Sequence, residues 1–375
     1  MATDPKNSEK RMMEVDQFSP GLSREYLIKG LEAKEVQAYY NYMVNMAVLL
    51  GAERSRAEEE MKEALMLELQ LAQLSLPREQ MRNKTALYNP TRLADLQKAW
   101  PEVPLVKVIN AVTGLLPGEE MREEEIVNVA VPSFVPAVRT LLATVPARVQ
   151  ANYIHWRNVM SKVSYLNSEA LEVALQYYKV LTGESQQAPR WERCVTSVTY
   201  STTYTAVAAM YVKNYFPLQS KEAVDDMVEY IRVEFKKMLD EQDWMDPVTR
   251  AKAETKLEKM TPHIAYPKEI LDGELIDELY SGLEIQQDSY LLNNLRLKKF
   301  DNLYYAKEFR KKIDKKDWRT HGGAAIVNAF YDATENSINI PAGILGGIFF
   351  DVDRLTVELY LKINKLLFYI LDLNT

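Results

Sequence analysis

The chain has 375 residues, of which 47% are hydrophobic and 26% are charged, with a formal net charge of −7 and a single cysteine. These values exclude disorder as the main state and disfavour a dedicated nucleic-acid binder, which needs a basic face. One cysteine excludes an intramolecular disulfide framework. The polar N-terminus is unlike a secretory signal, and no run of about eighteen apolar residues predicts a membrane span. As written, the sequence predicts a soluble intracellular chain.

Apolar residues recur at helical spacing through most of the chain, which predicts a mainly α protein. In chain order we predict helices from Val36 to Gly51, from about 58 to Pro77, from Asn89 to Trp100, through Val149 to Val163, from about 171 to Gly183, from Pro189 to Phe216, from Lys221 to Glu241, and from Asp246 to Met260. A cluster of β-branched residues over 126–131 predicts a short strand or an extended connection.

The pattern changes near Trp318. His321-Gly322-Gly323 is typical of a flexible link, and Ala325 to Ile340 predicts two extended runs around a polar turn, Asp332 to Asn336. We place a domain boundary at about 300–320.

The residue types usually found at catalytic and metal sites are sparse. The three histidines, His155, His263 and His321, lie far apart in the sequence and have no partner at metal-ligand spacing. A zinc helix needs two imidazoles one turn apart, and that spacing is absent. From the residues alone we predict no catalytic and no metal-ligating residues.

Two other features have simple structural interpretations. Cys194 lacks a basic partner such as histidine, so a buried or unpaired thiol is favoured over a reactive one. The basic residues between 307 and 316 alternate with acidic ones, which favours a solvated helix face over a phosphate site.

One stretch is far more specific. Val327-Asn328-Ala329-Phe330-Tyr331, then 336–345 (NSINIPAGIL), then Phe349-Phe350 resembles a motif of the neprilysin and endothelin-converting enzyme family of zinc metallopeptidases. Further ordered matches include Pro189-Arg190-Trp191, Tyr215-Phe216-Pro217 and Ala265-Tyr266-Pro267. The resemblance covers roughly residues 15–350.

The resemblance implies a large helical cap domain followed by the first strands of a thermolysin-like α+β catalytic domain. It divides the chain into a polar N-terminal segment (1–14), the helical cap (15–300), a linker and start of the catalytic domain with a substrate-binding edge strand (301–350), and a divergent apolar tail (351–375). By resemblance, Asn328 and Ala329 would hydrogen-bond a peptide backbone. Ile344 and Phe349 would line an apolar pocket, with ordinary core packing as the alternative.

The departures from the family pattern decide the predicted activity. The family continues past the Phe-Phe pair into a His-Glu-x-x-His zinc helix and a later Glu-x-x-x-Asp helix, whereas this sequence runs from Asp351 to Thr375 without either. We therefore expect no cofactor in this chain, although the full-length family carries zinc, and no peptide hydrolysis by the chain alone. Cys194 matches a family cysteine whose disulfide partner lies upstream of this sequence.

The leading hypothesis is a truncated zinc metalloendopeptidase of small peptides that is inactive as this chain. The alternative is a non-catalytic module that binds peptides or dimerises. The predicted partners are a peptide substrate or ligand and a homo- or heterodimer with a full-length relative, with no nucleic acid and no membrane span. The parent family is membrane-anchored or extracellular.

Overall fold

Helices dominate the computed structural model, which describes residues 1–113, 118–287, 289–347 and 349–351. The described chain forms two compact units. Within the residues that the structure describes, unit 1 covers the ranges 1–2, 11–188 and 284–311, and unit 2 covers the ranges 3–10, 189–283 and 312–351. These units group residues by proximity in space, so the family-based boundaries given above stay a prediction. The predicted tail over 351–375 lies outside the described residues, except for Asp351.

Unit 1 contains nine of the helices in the described chain. They are α1 (Arg24–Leu27), α2 (Lys34–Leu49), α3 (Arg54–Leu74), α4 (Leu93–Ala99), α5 (Leu105–Thr113), α6 (Phe134–Thr144), α7 (Ala147–Met160), α8 (Ser168–Leu181) and α14 (Tyr290–Glu308). Helices α2, α3, α7 and α8 pack together, and their buried side chains include Tyr39, Met43, Leu65, Trp156 and Tyr177.

The first sheet has four strands in the order β1-β2-β4-β3. They are β1 (Ala2–Asp4), β2 (Asn7–Val15), β3 (Pro90–Arg92) and β4 (Ile126–Val129). Met13–Val15 of β2 pair in parallel with β4, and β3 pairs with β4 in antiparallel register. The strand predicted over 126–131 is thus confirmed. The helix predicted from Asn89 begins only at Leu93, because Pro90 to Arg92 pair with β4 first. A proline is tolerated there because it lies in an edge strand.

Unit 2 contains five of the described helices and the second sheet. They are α9 (Arg190–Thr199), α10 (Tyr204–Tyr215), α11 (Leu218–Asp240), α12 (Pro247–Glu258) and α13 (Gly273–Leu279), with strands β5 (Thr261–Ala265), β6 (Phe330–Asp332) and β7 (Ser337–Pro341). The strand order is β5-β7-β6, with β5 parallel and β6 antiparallel to β7. The predicted hairpin around 332–336 is therefore confirmed.

The single helix predicted from Pro189 to Phe216 is wrong, since α9 and α10 are separated at Tyr200–Thr203. The hydroxyl of Thr203 donates a hydrogen bond to the carbonyl of Val198 (2.9 Å), and that of Ser201 donates to the same carbonyl (3.4 Å). Such hydroxyls compete with helical backbone bonding and favour termination. The helix predicted from Asp246 is confirmed as α12, and the Asp246 carboxylate caps it by accepting from the N–H groups of Val248 and Thr249.

The amphipathic helix predicted over 221–241 is present as α11, but only part of its apolar stripe is buried. Val224 and Val228 lie in the core of unit 2, whereas Phe235 is 39% and Met238 51% exposed. No helix among the described residues is both long and apolar enough to traverse a bilayer.

Candidate functional site

The β6–β7 hairpin is held in shape by its turn. The Asp332 carboxylate accepts hydrogen bonds from the backbone N–H groups of Thr334 and Glu335 and from the Thr334 hydroxyl. Asn336 adopts a positive φ of 55° at the end of the turn, a conformation that asparagine tolerates better than most residues. These contacts fix the register in which β6 pairs with β7.

β6 lies at the edge of its sheet. Within the described residues it pairs only with β7, so its other backbone edge meets no strand. An unpaired edge offers N–H and C=O groups to an extended chain. Two apolar side chains flank this edge, Val327 at 65% and Phe330 at 41% exposure. The edge therefore combines main-chain hydrogen-bonding capacity with exposed apolar surface.

Asn328 and Ala329 lie directly before this edge strand and face different surroundings. Asn328 is exposed, and its Oδ1 accepts a hydrogen bond from the N–H of Ala329 at 2.8 Å. Ala329 is buried to 9% exposure in the core of unit 2. The Asn328 side chain is thus accessible from solvent, while Ala329 anchors the segment to the core.

Ile344 and Phe349 both contact the core of unit 2. Ile344 is 6% exposed and belongs to the buried cluster, and Phe349 is partly buried against it. Core packing therefore accounts for both side chains as they lie here, and their role in an apolar pocket stays a prediction.

Close backbone packing positions the segment before Asn328. The N–H of Gly343 donates to the carbonyl of Ala324 at 2.8 Å, and a Cβ on Gly343 would lie 2.7 Å from the carbonyl oxygen of Ile326. Gly322 is buried, and a Cβ there would lie 2.8 Å from the side chain of Thr205. The glycines predicted to form a flexible link thus include one that close packing requires.

A side-chain cluster that the sequence spacing did not predict lies where β5, the β6–β7 turn and the segment after the 3-10 helix Trp318–Thr320 come together. His263 of β5 and His321 stack with ring centroids 3.5 Å apart and an interplanar angle of 13°. Glu335, in the β6–β7 turn, places Oε2 3.7 Å from Nε2 of His321. One potential ligand atom from each of the three residues lies within 4.8 Å of the others. The pairing of β5 with β7 brings His263 close to the β6–β7 turn, and the end of the 3-10 helix Trp318–Thr320 places His321 beside both.

The two imidazoles have unsatisfied nitrogens. Among the described residues, Nε2 of His263 and Nε2 of His321 are buried without a hydrogen-bond partner. Burial, reinforced by the neighbouring His321, lowers the pKa of His263 to about 4. His263 is therefore neutral at pH 7, with one ring nitrogen carrying a free lone pair. His263 and His321, which are far apart in the sequence, are thus in direct contact in the folded chain.

This cluster does not fit the zinc site that the family resemblance implies. That site uses two histidines one turn apart on a single helix, whereas His263 lies on a strand and His321 follows the 3-10 helix Trp318–Thr320. The third histidine, His155, is exposed on α7. We therefore derive no hydrolytic step from the described residues.

The other two predicted features have the following surroundings. Cys194 is an exposed free thiol on α9. In the basic stretch, Arg310 forms ion pairs with Glu119 and Glu125, and Lys311 with Glu308. Charge pairing at the surface, as expected from the sequence, explains these basic residues without a phosphate ligand.

Comparison with known proteins decides the family. A family model described as Peptidase family M13 matches residues 1–267. The chain belongs to peptidase family M13. The family resemblance drawn from the sequence motifs is thereby confirmed.

Two curated relatives match almost the whole chain. Neprilysin-2 of Drosophila melanogaster is 41% identical over 365 residues, which cover 94% of this chain and 47% of the relative. Human membrane metallo-endopeptidase-like 1 is 32% identical over 363 residues, which cover 94% of this chain and 46% of the relative. This M13 chain thus spans about half the length of these relatives.

Solved structures show the same fold. The crystal structure of the Mycobacterium tuberculosis zinc metalloprotease Zmp1 in complex with an inhibitor has a TM-score of 0.79 at 25% identity and covers 93% of this chain and 51% of the other. PepO from Lactobacillus rhamnosis has a TM-score of 0.80 at 19% identity, covering 94% and 54%. The predicted mainly α architecture is therefore confirmed.

Proposed function

We propose that this M13 chain binds extended peptides along the free edge of β6 and does not hydrolyse them by itself. The observation that carries the proposal is the unpaired edge of β6, which lies next to the exposed amide of Asn328. Membership of a zinc metallopeptidase family makes a peptide the natural ligand class for such an edge.

The proposed binding mode is strand addition. A peptide would pair its backbone with β6 through N–H···O=C hydrogen bonds, which are largely independent of side-chain identity. The Asn328 amide offers a donor and an acceptor at the entry to the edge. Val327 and Phe330 would contact apolar side chains of the peptide. In this assignment Asn328 and Ala329 hydrogen-bond the backbone of the peptide. Ile344 and Phe349 would line the pocket for the peptide residue after the scissile bond in a complete peptidase.

The proposed lack of hydrolysis rests on the side chains that this sequence contains. Three protein ligands hold a catalytic zinc, which lowers the pKa of bound water to about 7. The three histidines of this sequence include no His-x-x-x-His pair. The zinc-dependent chemistry of the family would therefore need residues beyond those present in this sequence.

Peptide binding can be tested by fluorescence anisotropy with a labelled hydrophobic peptide. We expect saturable binding by the wild-type chain and about three- to tenfold weaker binding by Asn328→Ala, because one net hydrogen bond is worth ~0.5–1.5 kcal/mol. The matched control is Asn214→Ala. Asn214 is exposed on α10 in the same unit, and its amide donates only to Met210 of its own helix.

A chemical control isolates the main-chain contribution. A peptide of the same sequence with alternate N-methylated amides keeps its side chains but loses the N–H groups along one edge. We expect this peptide to lose most of its affinity. Equal affinity for the methylated and unmethylated peptides, or no saturable binding at all, would contradict strand addition.

Two further measurements address the alternatives. Mass spectrometry of the peptide after incubation with the zinc-supplemented chain should show no cleavage, and hydrolysis abolished by a chelator would refute the non-catalytic assignment. Light scattering over a range of concentrations separates peptide binding from pairing of two copies through the same edge. Dimerisation that excess peptide does not reverse would favour the dimerising module.

A further inference from the structure

The cluster of His263, His321 and Glu335 combines three potential ligands from three separate segments of unit 2. His263 lies on β5, His321 follows the 3-10 helix Trp318–Thr320, and Glu335 lies in the β6–β7 turn. We propose that these three side chains bind one divalent transition-metal ion of the zinc class, at a site distinct from the catalytic zinc site of the family.

The unsatisfied nitrogens are the first argument for a metal ligand. A buried polar atom without a hydrogen-bond partner costs about 1–3 kcal/mol and calls for an explanation such as a missing ion. Nε2 of His263 and Nε2 of His321 are both in this position within the described chain. The His321 side chain is only 10% exposed, so bulk water does not compensate it. A cation bound after the two rings rotate apart would satisfy both nitrogens.

The surrounding charge is the second argument. Glu335 approaches His321, and the carboxylates of Asp317 and Asp332 are close enough to interact electrostatically with it. Asp317 is paired with Arg319, and Asp332 caps the turn, so Glu335 is the carboxylate left to bind a metal. The charge around His321 therefore favours a bound cation.

Glu335 is also oriented from outside the proposed ligand set. The hydroxyl of Ser337 donates to Oε2 of Glu335 at 3.0 Å, and the ammonium group of Lys315 donates to the Glu335 backbone carbonyl at 3.1 Å. Ligands of metal sites are commonly held in this way by residues that do not touch the ion. Ser337 is therefore a positioning residue for the proposed site.

The ligand types select the metal. Two imidazoles and one carboxylate suit zinc, cobalt, nickel and copper, whereas calcium and magnesium prefer oxygen ligands in larger number. Each imidazole lone pair lies in the plane of its ring, so two stacked rings cannot both point at one ion. Binding must therefore splay the His263–His321 stack, and the change in ring geometry accompanies metal uptake.

The ion would join β5 to the β6–β7 turn and so stabilise the small sheet. The expected role is stabilisation of the fold, because ligands from β5, from the residue after the 3-10 helix and from the β6–β7 turn would share one ion. An ion that binds only the folded state raises stability by RT ln(1 + [L]/Kd), or about 2.7 kcal/mol at a hundredfold excess over Kd. Metal-dependent thermal stability is thus a readout that needs neither peptide nor catalysis.

The test is zinc titration of the tag-free chain by calorimetry after dialysis against a chelator, with cobalt absorption as a second readout. We expect one zinc ion per chain, a cobalt spectrum typical of tetrahedral coordination that zinc abolishes, and no comparable binding of calcium or magnesium. His263→Ala and His321→Ala should each weaken binding at least about tenfold, because loss of a mere orienting partner already costs ~10–100-fold. His155→Ala is the matched control, since His155 is the one histidine outside the cluster.

Two variants extend the test. Ser337→Ala should weaken zinc binding less than Glu335→Gln, because Ser337 acts only through Glu335. His321→Ala supports the result if His263→Ala fails to fold, since His321 lies outside the strands. Absence of zinc binding by the wild-type chain, or unchanged stoichiometry and affinity in His321→Ala, would overturn the proposal. Either result leaves peptide binding at β6 untouched, so the two proposals fail independently.

Discussion

Gly343→Ala tests whether the close packing beside Asn328 is required for folding. Gly343 lies in the 3-10 helix Ala342–Ile344, where it passes the backbone of 324–326. A Cβ at this position would lie 2.7 Å from the carbonyl oxygen of Ile326 and 2.8 Å from the carbonyl carbon and oxygen of Ala325. These are backbone atoms, so no side-chain rotation can relieve the contact.

The expected magnitude follows from these distances. Ordinary Cβ contacts begin at 3.4 Å, so the two backbone segments would have to separate by 3.4 − 2.7 = 0.7 Å. Overpacking of this kind costs ~1–3 kcal/mol. Alanine restricts the unfolded chain more than glycine does, and this effect stabilises the folded state by ~0.4–1 kcal/mol. We therefore expect Gly343→Ala to lower the free energy of unfolding by about 1–2 kcal/mol.

Gly346→Ala is the matched control. Gly346 lies in the same turn region, a Cβ there would meet no heavy atom of the described residues within 4 Å, and its φ is not positive. The same substitution should therefore be neutral or slightly stabilising at this position, because only the effect on the unfolded chain remains.

The assay is urea unfolding followed by tryptophan fluorescence, with hydrogen exchange to localise the change. Gly343→Ala should lower the midpoint without changing the slope with urea, and amides over 322–331 should exchange faster. Peptide affinity should fall as well, because the displaced segment leads into Asn328. Equal midpoints for Gly343→Ala and Gly346→Ala would refute the reasoning from close packing.

Two further predictions concern unit 1. Tyr39→Phe should destabilise the chain by about 2–4 kcal/mol in urea unfolding, because the buried Tyr39 hydroxyl accepts from the Trp156 indole N–H (2.7 Å) and donates to the buried carboxylate of Glu68 (3.0 Å). The control is Tyr40→Phe, because the half-buried Tyr40 makes a single hydroxyl hydrogen bond, to the carbonyl of Glu58 (2.8 Å); an equal loss for both variants would contradict this reasoning. Two arginines and an asparagine lower the pKa of Glu60 from its ordinary 4.5 to about 2, so its contribution to stability is present above pH 4.5 and is lost as the pH falls towards 2. The arginine partners are exposed, which limits this contribution to ~1 kcal/mol. In Glu60→Gln, the free energy of unfolding should therefore depend less steeply on pH over this range. An unchanged slope of the free energy of unfolding against pH would exclude the ion pairs as the cause.

The sequence predicted helices well where one apolar stripe meets one core. The helix expected from Val36 forms as α2, since its stripe (Tyr39, Met43 and Met46) is buried against α3 and α8. Prediction was weaker where side-chain hydroxyls or partner strands compete with the helix, as at Tyr200–Thr203 and at Pro90. Helical periodicity gives no information on these contacts, because hydroxyl hydrogen bonds and strand pairing do not depend on the spacing of apolar residues.

The candidate peptide edge was predicted from a local motif, and it forms a local hairpin. Asn328 and the turn over 332–336 lie within nine residues of each other, so sequence order nearly determines their proximity. The exposure of Asn328 and the burial of Ala329 and Ile344 are properties of the folded unit. The sequence motif indicated these residues as candidates, but it did not predict which of them are exposed and which are buried in the core.

The histidine cluster shows what only the tertiary structure decides. His263 and His321 are 58 positions apart, and no spacing rule connects them. The fold stacks the two rings, and the pairing of β7 with β5 brings the β6–β7 turn with Glu335 to the same place. By itself, the sequence determined the family, the helical class and the hairpin, because these depend on local pattern. The unpaired edge, the close approach at Gly343 and the His263–His321–Glu335 site depend on contacts between segments that no local sequence pattern connects, which only the folded chain defines.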